Sequence, residues 1–220
     1  MNKPISLKVK AESDLNIILV QAGATELDAQ GRITGALDVP MCVEAEAHIE
    51  RTAAQLSFFS IDVIYTADCD SARQTARILS GKRRVKIKVS PVLSNLDCGL
   101  WHGKRIDEVK QTQPRLFRKW VEMTDGVCPP DGETLADARD RVEQFLTRTQ
   151  KKHSSGTIVV VAPQPLLSVI RGCMDPGAAA EPWTTIPESG KWEAFTVSKD
   201  GADSSARTLS KPLKIEMQTG

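Results

Sequence analysis

The sequence predicts an α/β fold: a three-layer sandwich with a mostly parallel central sheet flanked by helices. Three observations carry that expectation. Short aliphatic, β-branched runs alternate along the chain with segments of helical periodicity. Two of those runs, 16–20 and 157–162, are compact and strongly strand-like. No internal repeat or low-complexity linker interrupts the alternation, so the 220 residues read as a single domain over 1–220, with its core at about 14–198 and a C-terminal segment, 199–220, expected to be flexible.

Taken in order, 16–20 is a buried strand that ends in a turn at Gly23. Residues 44–58 form a helix, because Ala45, Ile49, Ala53 and Leu56 fall roughly on one face. Glu44, Glu46 and Glu50 then lie on its solvated side. A second strand, 61–65, leads through a turn into a helix at 71–79, and a third extended stretch, 85–93, is broken at Pro91. Short helices follow at 105–111 and 114–123, the latter with proline at a favoured first position. Residues 125–132, rich in Gly, Pro and Asp, make a loop. The clearest helix opens at Thr134: Leu135, Ala138, Val142, Phe145 and Leu146 repeat at three and four, and Asp137 stands where a capping-box acid belongs. The strand 157–162 is ended by Pro163 and Pro165, and 166–173 resumes as helix. A long Pro/Gly/Ala loop at 175–190, a strand at 192–197 and a flexible stretch at 200–210 complete the chain.

Composition excludes several functional classes. Hydrophobic content of 40% and charged content of 26% are those of an ordinary globule. Lys and Arg total 29 against 28 Asp and Glu, so bulk charge gives no case for a nucleic-acid partner. The longest apolar run, 158–162, is far too short to span a bilayer, and residues 1–4 lack a signal peptide's apolar stretch; the expected location is cytoplasmic, with no membrane partner. Five scattered cysteines without a Cys-x-x-Cys pair read as reduced thiols, and three widely spaced histidines argue against a metal site, so neither metal nor cofactor is expected.

In a parallel sheet, ligands sit at the carboxyl ends of strands, which directs attention to 21–25, 66–71, 93–102 and 163–165. Those segments carry a family resemblance. Residues 19–35, LVQAGATELDAQGRITG, resemble the opening of the histidine phosphatase superfamily, the phosphoglycerate-mutase-like proteins, whose pattern is Leu-Val-Arg-His-Gly-Glu-Thr, then Asn, Gly-Arg and Gly. The likeness continues through Leu37-Asp38-Val39-Pro40, Ile64-Tyr65-Thr66, Ala72-Arg73-Gln74-Thr75-Ala76, Leu96-Asp97-Cys98-Gly99-Leu100-Trp101, Gly132-Glu133-Thr134-Leu135 and Val159-Val160-Val161-Ala162. It covers about 16–173 and implies the phosphoglycerate-mutase-like form of the fold.

The resemblance also implies a chemistry. In that family a histidine attacks phosphorus, two arginines and a second histidine grip the phosphoryl oxygens, and a glutamate serves the leaving group. Carried over by position, those roles fall on the wrong residues. The first arginine is Gln21 and the nucleophile is Ala22, before the retained Gly23. The second arginine is Ser71, the glutamate is Asn95, and the second histidine is Pro163, followed by Gln164. The acid after the glycine is Ala24, and the phosphate-facing asparagine is Asp28. Alanine has no lone pair with which to attack. Two lost arginine grips, at about 1.5–3 kcal/mol for each charge-assisted hydrogen bond, remove roughly two to four decades of phosphate affinity.

Substitutes elsewhere are Arg73, His102, Cys69 and Cys98, each of which also has a plainer reading: a solvent-facing helix residue, an exposed histidine, and two small buried or half-buried thiols. The sequence therefore predicts a catalytically inactive member, a pseudoenzyme that binds an unknown small molecule or protein. Two alternatives stand beside it. One is a phosphatase or mutase with relocated catalytic groups. The other is an interaction module using the 175–190 loop or the C-terminal tail, with Trp183 and Trp192 as candidate anchors. Oligomeric state is not legible.

Overall fold

A computed structural model describes residues 14–122, 126–175, 188–197 and 209–210. Its elements run β1 (Leu15–Gln21), α1 (Glu26–Ala29), α2 (Val43–Leu56), β2 (Val63–Ala67), α3 (Asp70–Ser80), β3 (Lys86–Ser90), α4 (Ile106–Thr112), α5 (Pro114–Val121), α6 (Leu135–Lys152), β4 (Gly156–Ala162), α7 (Leu166–Met174), β5 (Trp192–Val197) and β6 (Leu209–Ser210). The strands form one sheet in the order β3-β2-β4-β1-β5-β6. The ladders β3–β2, β2–β4 and β4–β1 are parallel, and β5 and β6 add antiparallel beyond β1.

The central strands earn their places by composition. β1 and β4 pair from Leu15 opposite Gly156 to Gln21 opposite Ala162, and both are flanked by strands on either side. Ile17, Ile18, Val20 and the run from Ile158 to Ala162 are accordingly buried almost without interruption, as doubly covered parallel strands must be. Right-handed crossovers place α2 and α3 on one face and α6 and α7 on the other. The packing agrees: α2 lies against α3, and α6 against α7. Trp101, Phe117 and Trp120, with Trp101 and Trp120 edge to face at 5.2 Å, extend the core and anchor α5 beneath the loop after β3.

Local signals explain the boundaries. Thr134 accepts the Asp137 amide at 3.1 Å while its own hydroxyl donates to the Asp137 carboxylate at 2.6 Å, the expected capping box of α6. The extended stretch over 85–93 breaks at Pro91 as expected: Pro91 opens a tight 3₁₀ turn, Pro91–Leu93, which stops β3 at Ser90. The short helix α1, not foreseen from periodicity, is set by a second capping box between Thr25 and Asp28. Of the stretch expected to be flexible, Leu209–Ser210 pairs with β5, while 198–208 and 211–220 lie outside the described residues. So does most of the 175–190 loop, including Trp183.

Candidate functional site

Four parallel strands end on the same edge of the sheet, and the positions singled out by resemblance follow those ends: Gln21 and Ala22 after β1, Ser71 after β2, Asn95 in the loop after β3, and Pro163 after β4. Hydrogen bonds tie these loops to one another. The Ala22 amide donates to the Ala162 carbonyl at 3.0 Å, and the Gly23 amide donates to the Thr75 hydroxyl at 2.9 Å. The Asn95 amide nitrogen donates to the Gln164 carbonyl at 2.7 Å. The segments therefore converge as the parallel topology requires.

What converges there is neutral and closed. Gln21, Ala22, Ser71 and Asn95 are exposed by only 4, 1, 3 and 5%. The Gln21 amide turns back onto the Ala22 carbonyl at 3.3 Å. A Cβ on Gly23 would overlap the Met41 side chain, so the thioether of Met41 lies directly against this turn, and Thr75 sits within 4.0 Å of its sulfur. Met41 is held there through its own amide, which donates to Gln74 at 2.9 Å. Nothing in the residue type of Met41 announces this role; only the turn that brings the 34–42 loop across Gly23 reveals it.

Asn95 is the most heavily engaged of the group. Its amide nitrogen donates to two carbonyls, Gly35 at 3.0 Å and Gln164 at 2.7 Å, and its oxygen accepts the Leu166 amide at 3.2 Å. One buried side chain thus joins the loop after β1, the loop after β3 and the start of α7. Behind it, Arg141 binds the Val92 and Asn95 carbonyls and pairs with Glu133 at 2.6 Å, which fixes the loop that carries Asn95. Gln164 in turn accepts the Ser168 hydroxyl at 2.8 Å, so its side chain caps α7 rather than pointing at the cleft.

Asp28 was expected to face a phosphate. The structure assigns it elsewhere: one carboxylate oxygen accepts the Thr25 amide and hydroxyl, both at 2.7 Å, and the other accepts the Thr34 hydroxyl at 3.1 Å. This is the capping box of α1, and the charge is held by that work.

The four substitutes are likewise accounted for. Arg73 stays at the surface as expected, where it pairs with Asp68 (2.6 Å), Asp38 (3.0 Å) and Asp70 (3.3 Å). Its hydrogen bond to Asp38 holds the guanidinium above its ordinary pKa. His102 is half-buried rather than exposed. Its Nε2 accepts the Ala36 amide at 3.1 Å and the Cys98 amide at 3.2 Å, which puts the ring proton on Nδ1. Asp97 lies 3.8 Å from the same nitrogen, but an Nε2 that accepts two amides makes no ion pair. Burial pushes the Cys69 and Cys98 thiols above the ordinary range, and Asp97 and Glu133 push Cys98 in the same direction. Arg73 acts on Cys69 but is outweighed by burial and opposed by Asp38, and the charges acting on Cys98 are the acids Asp97 and Glu133, so neither thiol is held as a reactive thiolate. Among the described residues, no group of three or more His, Cys, Asp or Glu comes together that could hold a metal ion.

An open cleft of about 810 Å³ lies next to this closed region, between α2 and the segment 188–192. Ala24, Cys42, Ala45 and Trp192 supply apolar walls, while His48 and Arg51 stand at the rim. The Trp192 indole donates to Gln55 at 2.8 Å and meets Phe59 edge to face at 5.8 Å. The cleft touches the family turn through Ser189, whose hydroxyl accepts the Ala24 amide at 2.9 Å. Sequence reasoning did not single out this concavity, because its walls come from helix positions and a strand entry that are far apart in the chain.

Known proteins complete the picture. Residues 17–204 match the profile of the histidine phosphatase superfamily, branch 1. Phosphoserine phosphatase 1 of Hydrogenobacter thermophilus is 30% identical over 148 residues, spanning 67% of this chain and 70% of that protein. The adenosylcobalamin/alpha-ribazole phosphatase of Escherichia coli is 21% identical over 185 residues, or 84% of this chain and 91% of that one. Among solved structures, Bacillus stearothermophilus YhfR superposes with a TM-score of 0.77 at 21% identity, covering 89% of this chain and 94% of that one. The putative alpha-ribazole-5'-P phosphatase of Escherichia coli superposes with a TM-score of 0.72. With the profile matching most of its length and the strand-end loops converging as they do, the chain belongs to the histidine phosphatase superfamily.

Proposed function

We propose that this chain is a non-catalytic member of its superfamily, a binding protein built on a phosphatase fold. The observation that carries the proposal is the state of the nucleophile position: Ala22 is 1% exposed and presents a methyl group where covalent chemistry needs a lone pair. The surroundings support it. Gln21, Ser71, Asn95 and Pro163 themselves carry no charge, so at those positions a transferring phosphoryl group would meet neither cation nor acid. The acidic set around Arg73 further disfavours a dianion at the mouth.

Binding capacity in this reading resides in the cleft between α2 and 188–192, whose volume suits a small molecule or a short peptide segment. We place the protein in the cytoplasm, where its free cysteines remain reduced.

The test is hydrolysis of a panel of phosphomonoesters, phosphoserine and an alpha-ribazole phosphate among them, by protein purified from a host lacking its own contaminating phosphatases. No turnover above the background of a mock purification is expected. Turnover that survives rigorous purification and disappears in His102→Ala or Cys69→Ser would instead establish an enzyme with relocated groups.

A further inference from the structure

The charge of this nearly neutral chain is unevenly placed. Residues 71–96 contain no Asp or Glu, and within them 82–88 hold five cations: Lys82, Arg83, Arg84, Lys86 and Lys88. Structure places this run at the rim of the sheet. β3 is the terminal strand, and among the described residues it pairs with β2 alone. Among the described residues its outer edge is an unused row of backbone donors and acceptors.

The two faces of β3 differ. Lys88 sits 5.3 Å above the ring of Tyr65, which places Lys86 and Lys88 on the α6 side, since side chains two apart share a face. Lys152 extends the same cationic field there, beside the pair made by the Tyr65 hydroxyl and His153 at 2.9 Å. Ile87 and Val89 face the other way; Ile87 packs on the core and Val89 remains 48% exposed. Lys82, Arg84 and Lys86 are exposed and have no ion-pair partner among the described residues. Arg83 donates to the Leu56, Phe59 and Leu79 carbonyls, which fixes its position without neutralising its charge.

We propose that the open edge of β3 is a docking strand for an acidic, extended segment of a partner protein. The segment adds as a seventh strand, with carboxylates at alternate positions opposite Lys86 and Lys88 and apolar side chains opposite Ile87 and Val89. Cross-strand pairs of opposite charge stabilise such an addition, and backbone hydrogen bonds supply its non-specific part. The same lysines oppose a second copy of this chain, because self-pairing would bring cation against cation. A free backbone edge also favours a polypeptide over nucleic acid, for which β3 offers no aromatic stacking platform.

The probe is a labelled heptapeptide of alternating valine and glutamate, titrated with the intact protein at low ionic strength and read by fluorescence anisotropy. Saturable binding is expected, weakened about tenfold or more in a Lys86→Glu/Lys88→Glu variant whose circular dichroism matches the parent. A heptapeptide N-methylated at every amide, carrying the same charge, should lose binding to a similar degree against the unaltered protein. That second measurement holds even if the variant folds poorly. Equal binding of the methylated peptide, or tighter binding of a duplex oligonucleotide or an anionic vesicle, would overturn strand addition, as would the absence of any saturable peptide binding.

Discussion

Replacing Asn95 by alanine removes the one side chain that joins three strand-end loops. The Gly35 carbonyl and the Leu166 amide lose their partner in a buried setting, and the Gln164 carbonyl loses its partner in a half-buried one. A buried polar group left without a partner costs about 1–3 kcal/mol, and water reaches the third group more easily, so the expected loss is about 3–5 kcal/mol. For a chain of this size that corresponds to a fall in Tm of roughly 6–20 °C. Urea unfolding followed by circular dichroism measures it directly. Asn95→Asp is the sharper comparison, because it keeps the shape and the acceptor for Leu166 but turns a donor into a carboxylate facing two carbonyl oxygens. Its folded-state pKa must be raised, so its stability relative to the parent is greatest at low pH and is lost as pH rises through that value. At neutral pH it should be no more stable than the alanine variant. A loss below about 1 kcal/mol for Asn95→Ala, or a neutral-pH aspartate variant as stable as the parent, would refute the reasoning. The same geometry bears on restoring the family's residues. Asn95→Glu, combined with Gln21→Arg, Ala22→His, Ser71→Arg and Pro163→His, sets a carboxylate against those two carbonyls, and Met41 still covers Gly23. The fivefold variant should therefore lose stability before it gains turnover.

Other consequences are directly measurable. Burial, helped by Lys88 and Lys152, lowers the His153 pKa, so the stability this residue contributes is complete above its unfolded value of about 6.5 and falls away as pH drops through the lower folded value. Thermal unfolding between about pH 7 and pH 5 should show that decline, and His153→Gln should flatten it. A slope unchanged by the substitution would count against the assignment. Thr134→Ala should cost about 1 kcal/mol in urea unfolding, with Thr134→Ser recovering most of it, through loss of the α6 cap. Thiol titration of the folded protein at neutral pH should leave Cys98 unreacted and find Cys173, pushed up to about 11, slow; rapid labelling of Cys98 would show that its burial is wrongly assigned.

Much of the fold was legible because its signals are local. Periodicity and the Thr134–Asp137 pair announce α6, and unbroken β-branched runs announce β1 and β4. Elements too short for periodicity were harder. α1 has four residues, and its capping box became visible only once Thr25 and Asp28 were seen together. The convergence of Gln21, Ala22, Ser71, Asn95 and Pro163 could be expected from a parallel sheet joined to a family resemblance. Their present partners could not. His102 is held by amides of Ala36 and Cys98, Asn95 by Gly35 and Gln164, and Gly23 is covered by Met41; each contact depends on how distant loops cross, which no spacing encodes. The edge position of β3 was hidden for the same reason, since strand order is a property of the assembled sheet.

The proposal that this chain lacks a competent nucleophile is tested most directly by intact-mass analysis after incubation with a small-molecule phosphoryl donor, with an active superfamily relative treated in parallel. The relative should gain the mass of a phosphoryl group as an acid-labile, base-stable adduct, while this chain, with Ala22 and Pro163 at the positions the resemblance assigns to the two histidines, is expected to remain at its unmodified mass. An acid-labile phosphoryl adduct on this protein, mapped to any histidine beside the strand ends, would contradict the account.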